Sequence, residues 1–154
     1  MKIAHNIAIR VFAKEWEDAE KIKEGLSRLA PVNFEKEKLK INETTAEGFE
    51  DRKIKIFEIK LEKERHAKVF FDNLLQKISD KQKEMLIKQT DSRTDDECNF
   101  FIRLDKEKML NGEYWITDSG DCYHIKILVA AYPAKKDAAK KVIEGLIKGQ
   151  LQND

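Results

Sequence analysis

Tyr114-Trp115-Ile116-Thr117, Asp118-Ser119-Gly120-Asp121 and Cys122-Tyr123-His124-Ile125-Lys126-Ile127-Leu128 form the stretch whose reading decides the fold. Two runs rich in aromatic and β-branched residues flank four residues of the turn-forming kind. The expectation is a hairpin, with a strand over 113–117 joined to a strand over 123–131 and ended by Pro133. Another β-run covers 98–104. The link from Asp105 to Gly112 suits a helical turn closed by Asn111-Gly112, with Asp105 capping the turn and Gly112 left-handed.

Upstream, Ile3, Ile7, Ile9 and Val11 predict a strand over 3–12. Trp16, Ala19, Ile22, Leu26 and Leu29 recur at helical spacing and predict an amphipathic helix over 15–30. The alternation in 34–41 predicts a strand exposed on one face, and the polar stretch 42–51 a loop or hairpin connection. In 52–61, Ile54 and Ile56 share one phase while Phe57, Ile59 and Leu61 share the other, which suggests a bulged strand. Helices are expected over 63–79 and 80–88, a polar acidic loop over 90–97, and a last amphipathic helix over 135–148. The strands gather in hairpins instead of alternating with helices. The fold class is therefore α+β: an antiparallel or mixed sheet with helices packed on one face, in the order β-α-β-β-α-α-β-β-β-α. Residues 1–154 form one expected domain, a length at which a chain buries about two thirds of its unfolded surface.

Composition narrows the function classes. Hydrophobic residues make up 41% and charged residues 38%, against about 25% charged in ordinary domains. A surplus of Lys and Glu is a mark of proteins from heat-loving organisms. Thirty basic residues oppose 29 acidic ones, so any basic face must be balanced by acidic residues elsewhere. No apolar run approaches the ~20 residues of a membrane span, and the start lacks the apolar stretch of a signal peptide. The expected location is the cytoplasm, where Cys98 and Cys122 stay reduced thiols; a redox pair is the rarer alternative.

Catalytic patterns are missing from the sequence. His5, His66 and His124 have no partner at metal-ligand spacing, and no glycine-rich phosphate loop or Gly-x-Ser-x-Gly elbow occurs. The acidic loop with Asp91, Asp95, Asp96 and Glu97 could hold magnesium, but a solvated loop is the commoner case. No metal, cofactor or enzymatic activity is expected. The basic residues carry more. From Lys126 to Lys148 six lysines (126, 135, 136, 140, 141 and 148) face two acids, Asp137 and Glu144, and Arg103, Lys106 and Lys108 lie in and after the strand at 101–104. Such cations contact phosphates, and nearby aromatics such as Tyr114, Trp115 and Tyr123 can stack on unpaired bases.

The run Phe100-Phe101-Ile102-Arg103-Leu104-Asp105-Lys106, followed by Asn111-Gly112-Glu113, the segment 114–117 and the basic run 123–128, resembles a family of archaeal RNA-binding proteins predicted to be exosome subunits. The opening strand, the helix over 15–30 and Gly48 followed by Phe49 fit the same pattern. The sequence departs from it at Phe49-Glu50-Asp51, where that family often has a histidine and a Gly-Asn pair. The resemblance implies a fold similar to the ribosomal large-subunit protein that binds five-S RNA, an RNA-binding role and no enzymatic activity. It carries over to Arg103, Asp105, Lys106 and Gly112. Together these readings give a non-enzymatic RNA-binding protein that recognises backbone and shape. The candidate contacts are Arg103, Lys106, Lys108, Lys126, Lys136 and Lys140. The alternative is a protein-interaction adaptor or a subunit of a larger RNA-processing assembly.

Overall fold

The computed structural model describes residues 2–48 and 52–151. Five strands form one sheet: β1 (Ala4–Lys14), β2 (Asn42–Glu47), β3 (Lys53–Leu61), β4 (Asn99–Asp105) and β5 (Cys122–Val129). Their spatial order is β2-β3-β1-β5-β4, and every neighbouring pair is antiparallel. The helices are α1 (Ala19–Leu29), α2 (Glu64–Lys77), α3 (Asp80–Lys88), α4 (Thr90–Arg93), α5 (Lys106–Leu110) and α6 (Lys136–Lys148).

β1 is the central strand and sets the two faces. Ile7, Ile9, Val11 and Ala13 point to one side and are buried; Ala8, Arg10, Phe12 and Lys14 point to the other. The partners keep this alternation. Phe57, Ile59 and Leu61 of β3, Tyr123, Ile125 and Ile127 of β5, and Phe100, Ile102 and Leu104 of β4 complete the apolar side. Helices cover that side through Ile22, Leu26 and Leu29 of α1, Phe70, Phe71 and Leu74 of α2, and Ala139, Ile143 and Ile147 of α6. The two-layer α+β expectation therefore holds in its broad form, with the second face of the sheet left uncovered.

The local signals explain most helix ends. Asp18 caps α1 by accepting from the backbone N–H groups of Glu20 and Lys21, and Ser79 caps α3 through Gln82. Asp105 caps α5 by accepting from the Lys108 N–H, and Gly112 beyond it has φ +83°, as expected of both. Helix α1 begins only after Asp18, so Trp16 is not part of its inner stripe but stands exposed.

Five expectations are corrected. Residues 34–41 form turns instead of a strand. Phe34, Leu39 and Ile41 still pack on the core, and Glu37 is held by Arg65 of α2 at 2.7 Å. The strand is the polar 42–47 segment, which pairs with β3. Strand β3 has no bulge: its register against β1 is unbroken from Leu61 opposite Ile7 to Ile54 opposite Lys14. Its two phases are simply its two faces. The expected hairpin between 113–117 and 123–131 is replaced by pairing of β5 with β4. Residues 115–117 instead lie along the outer edge of β4, where the Asp105 N–H donates to the Trp115 carbonyl at 2.8 Å and the Thr117 N–H to the Arg103 carbonyl at 2.9 Å. Finally, 90–97 opens with the single helical turn of α4. Phe49, Glu50 and Asp51 lie outside the described residues.

Helix α1 meets the sheet closely at one point. The Tyr123 hydroxyl, deep in the core, donates to the Ile22 carbonyl at 2.7 Å, and a Cβ on Gly25 would press on that hydroxyl and lie 2.6 Å from the ring carbon bearing it. Burial pushes the Tyr123 phenol well above its ordinary range; the charge of Arg28 works against this and that of Glu17 adds to it. Gly25→Ala should therefore cost about 1–3 kcal/mol through overpacking, read as a Tm lower by several degrees in a thermal melt. An unchanged Tm would show that α1 can retreat from the sheet without loss.

Candidate functional site

The uncovered face is where exposed cations and aromatic rings meet. Strand register places its side chains in rows. One row runs Glu58 (β3), Arg10 (β1), His124 (β5), Arg103 (β4). The next runs Lys60, Ala8, Lys126, Phe101. On the other side of the first row, Ile56 stands opposite Phe12. With strands about 4.8 Å apart, Arg10 and Arg103 stand roughly 10 Å from each other, as do Lys60 and Lys126. The face forms a shallow hollow of about 780 Å³ whose floor includes Ala8, Arg10, Phe12, Phe101, Arg103, His124 and Lys126.

The cations differ in what they already hold. Arg10 forks onto one oxygen of Glu58 at 2.9 and 3.0 Å and stays half exposed. Arg103 donates to the Asp118 carbonyl at 3.0 Å, which ties the turn at 118–121 to β4. Among the described residues, Arg103, Lys60 and Lys126 have no carboxylate within ion-pair range. Beside Arg103, a cleft of about 450 Å³ at the β4 edge is lined by Gln89, Ser92, Arg93, Phe101 and Asp118. Burial lowers the Arg93 pKa, and its ion pair with Asp118 at 3.0 Å works against that.

His124 sits between the two arginines. Burial is the main cause that holds its pKa below the ordinary 6.5, and the charges of Arg103 and then Arg10 lower it further. Its ring packs 6.0 Å from that of Phe12, centroid to centroid, and its Nε2 lies 3.5 Å from the Cys122 sulfur. Burial pushes the Cys122 thiol above its usual range, the condition of an inert thiol. Cys98 lies just before β4, at the end of the sheet opposite Cys122, so the two do not form a pair. Among the described residues, no group of three or more His, Cys, Asp or Glu side chains is placed to hold a metal. The acidic loop instead makes structural contacts. Asp95 accepts from the N–H groups of Glu97 and Asn99, and Asp91 pairs with Lys140 at 3.0 Å and Lys136 at 3.5 Å.

The six cations expected to contact RNA do not converge. Arg103 and Lys126 share the open face. Lys136 and Lys140 lie on α6, whose apolar residues cover Phe100 and Ile102 on the opposite side of the sheet, and both bind Asp91. Lys108 stands exposed at the end of β4, with its ammonium 5.3 Å from the Trp115 ring. Lys106 is a correction: it is 4% exposed, and its ammonium donates to Glu17 at 2.9 Å and to the Phe12 carbonyl at 3.1 Å. Packing leaves it no surface to offer a phosphate. Of the three aromatics noted in the sequence, Tyr123 is core, Tyr114 donates to the Arg28 carbonyl, and Trp115 is exposed. Arg10, Lys60, Phe12, Phe101 and His124 were missed. For Arg10, Phe12 and Lys60 the signal lay in the even-numbered positions of β1 and β3, and for Phe101 and His124 in the alternation of β4 and β5 with their core residues.

A helix-backed antiparallel sheet whose other face, among the described residues, carries arginine, lysine, glutamate and aromatic side chains defines an open-faced α+β protein. Residues 6–130 match a family described as RNA binding, and the chain belongs to that family. An RNA-binding protein of Pyrococcus abyssi is 30% identical over 147 residues, spanning 96% of either chain. A solved DUF54 protein from Methanothermobacter thermautotrophicus is 28% identical, with a TM-score of 0.78 over 94% of this chain and 98% of that one. A second DUF54 structure, from Archaeoglobus fulgidus, is also 28% identical, with a TM-score of 0.81 over 94% of this chain and 99% of its own. Among the described residues no helix is long and apolar enough to cross a membrane.

The different placements of the basic residues separate stability from binding. Lys106→Ala removes the buried partner of Glu17, a change that costs at or below the low end of the ~3–5 kcal/mol seen when a buried pair is broken. Chemical denaturation should show that loss, whereas Lys126→Ala should stay within ~0.5 kcal/mol of the parent. Equal effects of the two variants would contradict this division. For His124, NMR titration should give a midpoint below 6.5 that rises in Arg103→Ala. The unfolded chain takes up that proton more readily, so the His124 contribution to stability is present above about pH 6.5 and is lost as pH falls through the lower folded value. A midpoint of 6.5 or above would refute the effect of burial and the flanking arginines.

Proposed function

We propose that this protein binds RNA on the open face of its sheet, as a binding protein and not an enzyme. The carrying observation is the convergence of Arg10, Lys60, Arg103 and Lys126, from four strands, on the sheet face that no helix of the described residues covers. Phosphate contacts of this kind give affinity through counterion release. They also explain how a chain of net charge +1 can engage a polyanion, because acidic groups such as Glu37 and Asp91 are paired on the helical layer. The family membership and the name of the Pyrococcus abyssi relative support the same reading. An adaptor role for the face is the weaker alternative, since its exposed rings are divided by cations and do not form one apolar patch.

The expected behaviour is binding of total cellular RNA that weakens steeply from low to near-physiological salt in a filter assay. Replacing Lys60, Arg103 or Lys126 by Ala should each reduce the slope of log affinity against log salt by about 0.7–0.9. Lys136→Ala and Lys140→Ala should leave it unchanged. Salt-insensitive binding, or a slope untouched by the three sheet variants together, overturns the proposal.

A further inference from the structure

We propose that the RNA taken by this face is unpaired, with Phe12, Phe101 and Trp115 as stacking platforms for its bases; this rests on the RNA-binding reading above. Among the described residues only five large hydrophobic side chains are exposed, and these are three of them, at 40%, 38% and 50%. They do not lie where chance would scatter them. Phe12 and Phe101 stand on the open face, and Trp115 extends it. The pairing of 115–117 with β4 sets Trp115 beside Asp105 and Thr117 beside Arg103, while Ile116 faces the core next to Leu104. Strand alternation thus carries Trp115 to the same side as Arg103.

Each ring has a cation as its neighbour. Phe101 is paired across the strands with Lys126 and lies two residues from Arg103. Phe12 lies two residues from Arg10. Trp115 is covered by Lys108. A nucleotide presents a flat apolar base joined to a charged phosphate, and this interleaving offers one partner for each part. The middle of the hollow is floored by Ala8, between Lys60 and Lys126, while His124 stands between Phe12 and Phe101 with its ring 6.0 Å from that of Phe12. His124, which burial and its flanking arginines keep neutral near pH 7, adds an imidazole edge able to accept or donate a hydrogen bond at the same level.

A duplex uses such a surface poorly. Its bases are already stacked on one another, and it shows a protein mainly phosphates, 2′-hydroxyls and a shallow groove. Exposed phenyl rings set against that surface would lose water without gaining a partner. Unpaired bases gain a stacking face, and the gain tolerates any sequence.

The test uses the full chain and two fluorescent probes at one salt concentration: an unstructured oligouridine of about 15 nucleotides, and a blunt RNA duplex of the same strand length. The oligouridine should bind at least tenfold tighter. Phe101→Ala and Phe12→Ala should each weaken its binding roughly five- to hundredfold while changing duplex binding little, as stacking predicts. Phe101→Tyr, which keeps a ring, should retain it. Lys126→Ala should weaken both probes. In Trp16→Phe protein, the remaining Trp115 emission should be quenched by oligouridine. Duplex binding equal to or tighter than single-strand binding, with the phenylalanine variants silent, overturns the stacking inference and leaves RNA binding standing. Binding of neither probe overturns the RNA reading itself.

Discussion

The structure depends on β1 being paired along both edges while buried on only one side. A strand held between β3 and β5 has no freedom to slide, because a slip of one residue would turn Ile7, Ile9 and Val11 into water. That fixes the register of its neighbours and, through them, of β2 and β4. It also decides where the helices go. Only one face of the sheet offers an apolar surface for α1, α2 and α6, so all their burial is directed there. The open face is what remains, and its composition is free to serve something other than folding.

Cations in this chain meet three different fates, set by the surface each strand or helix gives them. Lys106 follows the Asp105 cap directly and is drawn under the sheet's end, where Glu17 and a backbone carbonyl replace its water. Lys136 and Lys140 lie on an exposed helix flank beside Asp91 and neutralise it; its carboxyl is held below the usual range by Lys140 and then Lys136. Arg103, Lys60 and Lys126 stand on strands and, among the described residues, have no carboxylate within ion-pair range. A near-neutral total charge conceals this separation. Local geometry decides which charges remain available to a ligand.

Much of the architecture was legible where the pattern is local. The helices at 64–77, 80–88 and 136–148, the central strand, the Asp105 cap and the left-handed Gly112 all follow from short-range spacing and side-chain chemistry. The misread elements share a cause. Residues 34–41 alternate apolar and charged residues as a strand would, yet Phe34, Leu39 and Ile41 pack half-buried against the core from a turn, and Arg65, far along the chain, holds Glu37 beside them. Ile54 and Ile56 imitate a phase change because the open face keeps an apolar corner against Phe12. The segment 113–117 has a strand's composition but finds only the edge of β4. Of the candidate site, Arg103 and Lys126 were visible within one stretch of sequence. Their neighbours Arg10 and Lys60 come from the first half of the chain, and only the strand order brings them alongside.

The lateral margins of the sheet have a consequence of their own. On one side β2 is short and wholly exposed, and it carries Glu43 and Glu47. On the other, the outer backbone of β4 is partly occupied by 115–117, with the Ile116 N–H donating onward to Gln82 of α3. Neither margin presents a long, bare row of amides on which a foreign strand could template itself. Copies of the molecule are thereby discouraged from joining edge to edge into a growing ribbon, even when heat or crowding brings them together. What the sheet exposes broadly is its open face, where side chains, and not backbone amides, meet the solvent.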